Sequence, residues 1–187
     1  MEWIEELKRQ LHSEVRTDAV SQAIYSTDAS IFEVTPQAIC IPRTKKELLQ
    51  ACQIAAHYKI PLTARGAATG ITGSCLGTGL IIDLSKYLTN IFDIDLHRAK
   101  IRCEPGLVQD DLNTALAPFG YRLGPDTSTG NRATIGGMVG NNAAGAHALK
   151  FGRMVDHVEE VELILANGTV IHCKALTPDE WKQKCAQ

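Results

Sequence analysis

Two glycine-rich stretches constrain this chain more than any other feature. They are RGAATGITGS at Arg65–Ser74 and GPDTSTGNRATIGGMVGNNAAG at Gly124–Gly145. Residues 65–79 hold five glycines and residues 124–152 hold seven, so twelve of the fifteen lie in two segments. Glycine lacks a Cβ and reaches φ values closed to other residues, so its backbone can press against a ligand and aim N–H groups at it. Small hydroxyl residues between the glycines add donors. Two such loops in one small chain point to an extended ligand carrying phosphate, and a dinucleotide fits. For the second loop the alternative is a structural turn that packs two lobes together.

The chain has 187 residues, 44% of them hydrophobic, which supplies one core or two small lobes sharing an interface. A net charge of −2, with no basic stripe, argues against nucleic acid as a partner. No apolar run approaches the roughly 18 residues a membrane helix needs. The opening MEWIEELKRQL places acids where a signal peptide has a basic region. A soluble, cytoplasmic protein is expected. The six cysteines form no CxxC pair and show no metal spacing. Their apolar company suits buried free thiols, with Cys75, just after the first glycine loop, as the exception.

Periodicity sets a coarse architecture. Residues 2–11 predict a helix with Trp3, Ile4, Leu7 and Leu11 on one side, followed by an irregular stretch over 12–37. Ala38–Ile41 reads as a strand. Thr44 and Glu47 form a capping box opening a helix that runs to about Tyr58, with Leu48, Cys52 and Ala55 on one face beside Leu49 and Ala56. Residues 60–64 read as a second strand and Leu80–Asp83 as a third, apolar on both faces. IFDID and KIRCE predict a ribbon around 96–99. Val108 to Leu116 predicts a helix closed by Pro118 and Gly120. A hairpin is expected across Ala166–Thr169, and a ragged tail from Thr177.

The loops exclude two common phosphate cradles. No lysine lies between Lys59 and Lys86, so a Walker A loop is absent. Gly66, Gly70 and Gly73 give GxxxGxxG rather than GxGxxG, and residues 76–83 read as strand, not helix, which argues against a Rossmann site. What remains is a backbone nest with Thr69, Thr72 and Ser74 as hydroxyl donors and Arg65 at the entrance as a cation suited to phosphate. In the second loop Thr134–Gly140 is apolar and flexible enough to lie on a flat ring. Asn141 and Asn142 offer amides to a heterocycle edge, and Pro125, Asp126, Thr127 and Ser128 form a turn.

Several ordered motifs over residues 20–175 carry a resemblance: VTPQAICIPRTKKELLQACQIAAHYKIPLTARGAATGITG, LIIDLSKYLTNIFDID, EPGLVQDDLN, GPDTST, TIGGMVGNNAAGAHALKFG and DHVEEVELILANGT. They resemble the FAD-binding domain of the vanillyl-alcohol oxidase (PCMH-type) flavoprotein superfamily. The nearest likeness is to FAD-linked D-2-hydroxyacid dehydrogenases acting on lactate, glycolate or 2-hydroxyglutarate, including large bacterial enzymes fused to iron–sulfur modules. The resemblance implies a two-lobed α+β fold, a small parallel β/α lobe plus a mixed or antiparallel sheet lobe with helices. Residues 1–34 would be an N-terminal helix and lead-in, 35–90 the first lobe and 91–187 the second.

It also implies the site. Arg65, Gly66, Ala67, Ala68, Thr69, Gly70, Ile71, Thr72, Gly73 and Ser74 would wrap the pyrophosphate. Pro125, Asp126, Thr127 and Thr129, with Ile135, Gly136, Gly137, Gly140, Asn141, Asn142 and Gly145, would lie along the ribityl chain and ring. Val158 would open a strand near the adenine. Relatives usually carry RGGGT where this chain has RGAAT, so two methyl groups sit near the phosphates. No histidine falls between His57 and His97, and Cys75 lacks the context of an attachment site, so FAD is expected to be non-covalent.

The substrate domain of such enzymes, which binds the small 2-hydroxy acid and holds the base, is expected to be absent, so the chain reads as an inactive fragment with no catalytic residue of its own. The electron acceptor would be an iron–sulfur module or a quinone. His147, beside the second loop, could face the flavin or an anionic substrate, or be an ordinary loop histidine, and Arg132 and Arg153 could attract a carboxylate substrate. A non-catalytic or decayed flavin-binding module is the alternative.

Overall fold

The structure is a computed structural model describing residues 1–186. A helix α1 (Glu2–Gln10), a strand β1 (Glu14–Arg16) and a helix α2 (Ala19–Tyr25) come first. Then follow β2 (Ala38–Ile41), α3 (Lys45–His57), β3 (Leu62–Arg65) and β4 (Leu80–Asp83). These strands form one sheet in the order β1-β2-β4-β3, with β2, β3 and β4 parallel and β1 antiparallel at the edge.

Residues AICI and LIID are buried throughout because helices or rings cover both sheet faces. On one face α1 and α3 bring Trp3, Ile4, Leu7, Ala51, Ile54 and Ala55 onto Ala38, Cys40, Leu80 and Ile82. On the other, Tyr25 and Tyr87 cover Ile39, Ile41 and Ile81. Burial pushes the Cys40 thiol up to about 12 and the Cys52 thiol up to about 11, so neither is a nucleophile near neutrality. Cys173 and Cys185, by contrast, are exposed, which their local sequence did not indicate.

Three local expectations are corrected. Residues 12–37 are not irregular: they hold β1 and α2, the latter capped by Asp18, whose carboxylate accepts from Ser21 N. Thr44 caps α3, accepting from Glu47 N at 3.2 Å, but the Glu47 carboxylate does not return to Thr44. It accepts instead from Arg43 N, His12 N and Ser13 Oγ, and so ties the N-terminal segment to α3. The tail is helical: α7 (Pro178–Cys185) opens with a true capping box between Thr177 and Glu180.

Beyond Asp83 the chain builds smaller pieces. β5 (Ile91–Asp95) and β6 (Lys100–Cys103) form an antiparallel ribbon with a bulge between Ile91 and Asp93. Helix α4 (Gln109–Leu116) packs its Leu112 and Leu116 on that ribbon through Ile94 and Ile101. Helix α5 (Ile135–Gly140), helix α6 (Ala148–Phe151) and a 3-10 turn at Met154–His157 follow, then the ribbon of β7 (Glu160–Ile164) and β8 (Val170–Lys174). The tip of that ribbon docks on the first lobe: Gly168, with φ +80°, seats against Gln53 of α3. Lys45 pairs with Glu162 at 2.6 Å, and Ile164 joins the first core.

Glu14 fastens β1 to the end of the sheet. Its carboxylate accepts from Lys86 Nζ and Tyr87 Oη, both at 2.5 Å, and from Arg16. Hydrogen bonds from Lys86, Tyr87 and Arg16 pull its pKa from 4.5 down to about 2. A depressed carboxylate pKa contributes stability that is complete above the unfolded value and lost as pH falls through the folded one. The stability gap between the parent and Glu14→Gln, read by urea denaturation, should therefore be constant above about pH 5 and close progressively toward pH 2.

Candidate functional site

The first glycine loop leaves the carboxyl end of β3, the side on which open parallel sheets hold ligands. Arg65 is not its free cation. The side chain is buried, with Nη1 donating to Tyr25 O at 3.2 Å and Nη2 to Thr27 O at 2.9 Å, and the guanidinium lies over the Tyr25 ring. The loop offers its backbone instead. Among the described residues, no backbone N–H from Ala67 to Cys75 has a protein acceptor. Thr72 and Ser74 are exposed beside these amides and Thr69 is half-buried. Ile71 is 76% exposed, a large apolar side chain left on the surface. Ala68 takes φ +57°, a left-handed conformation that disfavours a Cβ, while Ala67 keeps an ordinary φ. The Cys75 thiol donates to Asp28 Oδ2 at 3.5 Å, and burial raises its pKa, so it is not an activated nucleophile.

The second loop differs in kind. Gln109, 2% exposed at the start of α4, sends Nε2 to Pro125 O and accepts from Thr127 Oγ1 at 2.6 Å, which fixes the 125–127 turn. Thr129 O takes the amides of Arg132 and Ala133. Asp126 accepts from the His147 backbone N–H at 3.2 Å and pairs with His147 Nδ1, with Arg122 at 3.9 Å. The His147 hydrogen bonds hold the Asp126 carboxyl below its ordinary range. Gly145 is needed there, since a Cβ would run into the Asp126 carboxylate and backbone.

The stretch expected to be flexible, 134–140, is mostly the helix α5. Its cap Thr134 accepts from Gly137 N, and Gly136 donates to Pro105 O at 2.8 Å and lies against the Pro105 ring. Gly140 is open to space, and Ile135 is half-buried in the second-lobe core. Asn142 sits at φ +47° with Oδ1 accepting from Val155 N, so half of its amide is already engaged. Arg132 and Arg153 are exposed.

These two segments meet. A Cβ on Gly66 would overlap Thr134 Oγ1, and Gly70 lies beside the Asn141 amide. Ser74 Oγ donates to Asn141 Oδ1 at 3.4 Å. The free amides of the first loop therefore stand next to the α5 cap. Val158 lies further along, in the wall of a cavity of about 410 Å3 shared with Val139, Asn142, Val155 and Val161. Sequence reading missed Gln109, Tyr25 and Asp83. Each is polar or aromatic inside an otherwise ordinary element, and only long-range pairing shows its role.

Residues 36–174 match the family described as FAD binding domain. The chain is 33% identical to D-2-hydroxyglutarate dehydrogenase of Escherichia coli over 180 residues, covering 94% of this chain and 18% of that protein. It is 31% identical to glycolate oxidase subunit GlcD of Bacillus subtilis, covering 79% of this chain and 32% of that one. It thus spans about a fifth to a third of the length of these relatives. Among solved structures, an alkyldihydroxyacetonephosphate synthase superposes with a TM-score of 0.84 at 17% identity, covering 97% of this chain and 36% of that one. A variant of Physcomitrella patens BBE-like 1 gives 0.78 at 18% identity, covering 94% and 38%. Both share the fold.

The residues present suit FAD. Unpartnered amides and exposed hydroxyls in the Ala67–Cys75 loop match a pyrophosphate's need for many donors without a large opposing charge. The Arg132–Ala143 part of the second loop, its amides largely engaged, supplies a firm wall instead. Two predictions follow from this geometry. Ala68→Gly should raise stability by about 1 kcal/mol by relieving the left-handed Cβ, whereas Ala67→Gly should lower it by about 0.5 kcal/mol through the freer unfolded chain. Urea midpoints of the two variants check the opposite signs. Gly66→Ala should cost about 1–3 kcal/mol by forcing the loops apart, and that penalty should largely vanish in the Thr134→Ala background, as a double-mutant cycle would read.

Proposed function

The chain belongs to the FAD binding domain family, and from that premise we propose that it is the cofactor-holding part of an oxidoreductase that converts a small D-2-hydroxy acid to the 2-oxo acid. The observation that carries this reading is the convergence of the two glycine loops at Gly66 and Thr134, which sets a row of unpaired amides beside a rigid second wall. The names of the relatives, D-2-hydroxyglutarate dehydrogenase and glycolate oxidase subunit GlcD, supply the substrate class.

Bound FAD supplies a two-electron acceptor, which oxidation of a hydroxy acid requires. The chain's own residues bind and orient. Ala67, Thr69, Gly70, Thr72, Gly73 and Ser74 hold the phosphates through amides and hydroxyls. The Pro125–Thr127 turn, locked by Gln109, and the α5 segment with Asn141 hold the rest of the ligand. Val158 and its apolar cavity take the adenine end. Attachment is non-covalent, since the raised Cys75 thiol lacks the thiolate a bond would need.

In the whole protein a further domain holds the substrate carboxylate and the base, and electrons pass on to an iron–sulfur module or a quinone. Its place is the cytoplasm or the inner face of a membrane, and no described helix is long and apolar enough to cross one.

The purified chain mixed with FAD should show flavin bands near about 370 and 450 nm that leave with the soluble fraction after denaturation. The full-length protein, assayed with a dye acceptor, should oxidise D-2-hydroxyglutarate, D-lactate or glycolate, and should prefer the D form of a chiral substrate over the L form. A chain that takes up no flavin would sink the reading at its base. Flavin that stays with the precipitate would sink only the non-covalent part.

A further inference from the structure

The first glycine loop cannot hold its own shape. Among the described residues its amides have no protein acceptors, and its one internal backbone bond runs from Leu76 N to Gly73 O. Something else must keep a cradle of this kind open, and three contacts on it come from a segment that precedes the matched family residues 36–174. We propose that Tyr25–Phe32 is a strap that positions the Ala67–Cys75 loop, with Phe32 and Arg65 as its two positioning residues.

The strap is rigid by itself. Val34 N donates to Ser26 O at 2.8 Å, and Thr27 bridges Glu33. Inside it, Asp28 Oδ1 accepts from Ser30 N and Ser30 Oγ accepts from Phe32 N. It is also anchored from below. Arg65 donates to Tyr25 O and Thr27 O, and the Tyr25 hydroxyl donates to Asp83 Oδ2 at 2.5 Å. Arg65 is the last residue of β3, so the strand that launches the loop also grips the strap.

Three contacts then reach the loop. Ala29 N donates to Ala68 O at 3.1 Å, and Asp28 takes the Cys75 thiol. The Phe32 ring lies so close to Gly73 that a Cβ there would stand 2.9 Å from Cδ2. Phe32 is 53% exposed, so core burial does not explain its position; its ring covers a glycine held at φ +72°. The bond to Ala68 O also explains why alanine persists in a left-handed conformation at that position. Backbone strain endures only where the surroundings dictate it.

Holding the loop in shape before the ligand arrives moves the ordering entropy from binding to folding, which strengthens binding without adding a contact to the ligand. That consequence for FAD rests on the function proposed above; the effect on the loop itself does not.

Alkylation of the ligand-free 187-residue chain tests the strap directly, with each cysteine followed by mass spectrometry. Cys75 should react more slowly than exposed Cys173 and Cys185. Phe32→Ala should speed Cys75 by about tenfold while Cys40 and Cys52 stay unreactive, which shows that the core is intact. Arg65→Met should act in the same direction. Ile31→Ala, next to Phe32 but 95% exposed, should change nothing. In parallel, FAD affinity should fall about tenfold in Phe32→Ala with the melting midpoint unchanged, and Phe32→Leu should restore most of it. An unchanged Cys75 rate in both Phe32→Ala and Arg65→Met overturns the proposal. A chain in which Cys75 responds as expected but FAD never binds leaves the strap standing and removes the flavin reading.

Discussion

The unpaired backbone of Ala67–Cys75 is the condition on which the rest of the structure depends. A peptide N–H without a partner is tolerated only where water or a ligand can reach it, so a whole row of them in one loop demands a surface position open to one or the other. Much of the molecule is arranged around that demand. The parallel strands β3 and β4 fix where the loop starts and ends. The Tyr25–Phe32 segment lies against one side, and the α5 cap lies against the other through Gly66 and Thr134. The two glycine loops have opposite characters for this reason. The first leaves its donors free. In the second, Thr129, Pro105 and Thr134 take the amides of Arg132, Ala133, Gly136 and Gly137, and that part becomes a wall.

Charge is placed to match. Arg65 carries the positive charge nearest the loop, yet its guanidinium turns inward to the carbonyls of Tyr25 and Thr27. The loop therefore presents backbone dipoles rather than a free cation. The gain is geometric: amides fixed by the backbone have no rotamers to lose, unlike a long cationic side chain. Three carboxylates of the surroundings are engaged. Asp83 takes Tyr25 and Ser85, Asp28 takes Ser30 and Cys75, and Asp126 takes His147.

Much of this was legible in the sequence, for physical reasons. The buried strands AICI and LIID declare themselves because both their faces are covered, and the two loops declare themselves because glycines such as Gly66, Gly136 and Gly145 sit where a Cβ would run into a neighbour. The fold class followed from those elements together with the motif resemblance. Less legible was anything decided by partners far along the chain. Residues 12–37 read as irregular because β1 is only three residues long and pairs with β2, and because Tyr25 faces Asp83, 58 residues away. Arg65 reads as a phosphate ligand because its local context is a glycine loop, and nothing local reveals the carbonyls that hold it. The 134–140 stretch reads as flexible from its glycines, yet Thr134 caps it and Pro105 packs on it. The Thr44–Glu47 pair matches a capping box in sequence, but the Glu47 carboxylate finds better donors at His12 and Ser13.

The second half of the chain is built from parts that would not stand alone. Two-stranded ribbons are marginal in water, and both β5–β6 and β7–β8 are ribbons of that kind. Each gains its stability from a neighbour, the first from α4 and the second from the docking of Gly168, Glu162 and Ile164 on the first lobe. The interface between these parts thus carries some of the stability of the second half of the chain. A ligand that touches both glycine loops adds its binding free energy to the same interface, because it binds the folded arrangement and not the unfolded chain. With the cofactor seated between the two loops as proposed, its retention and the integrity of the second lobe would be one linked equilibrium, and a change that loosens Gly66 from Thr134 would weaken both together.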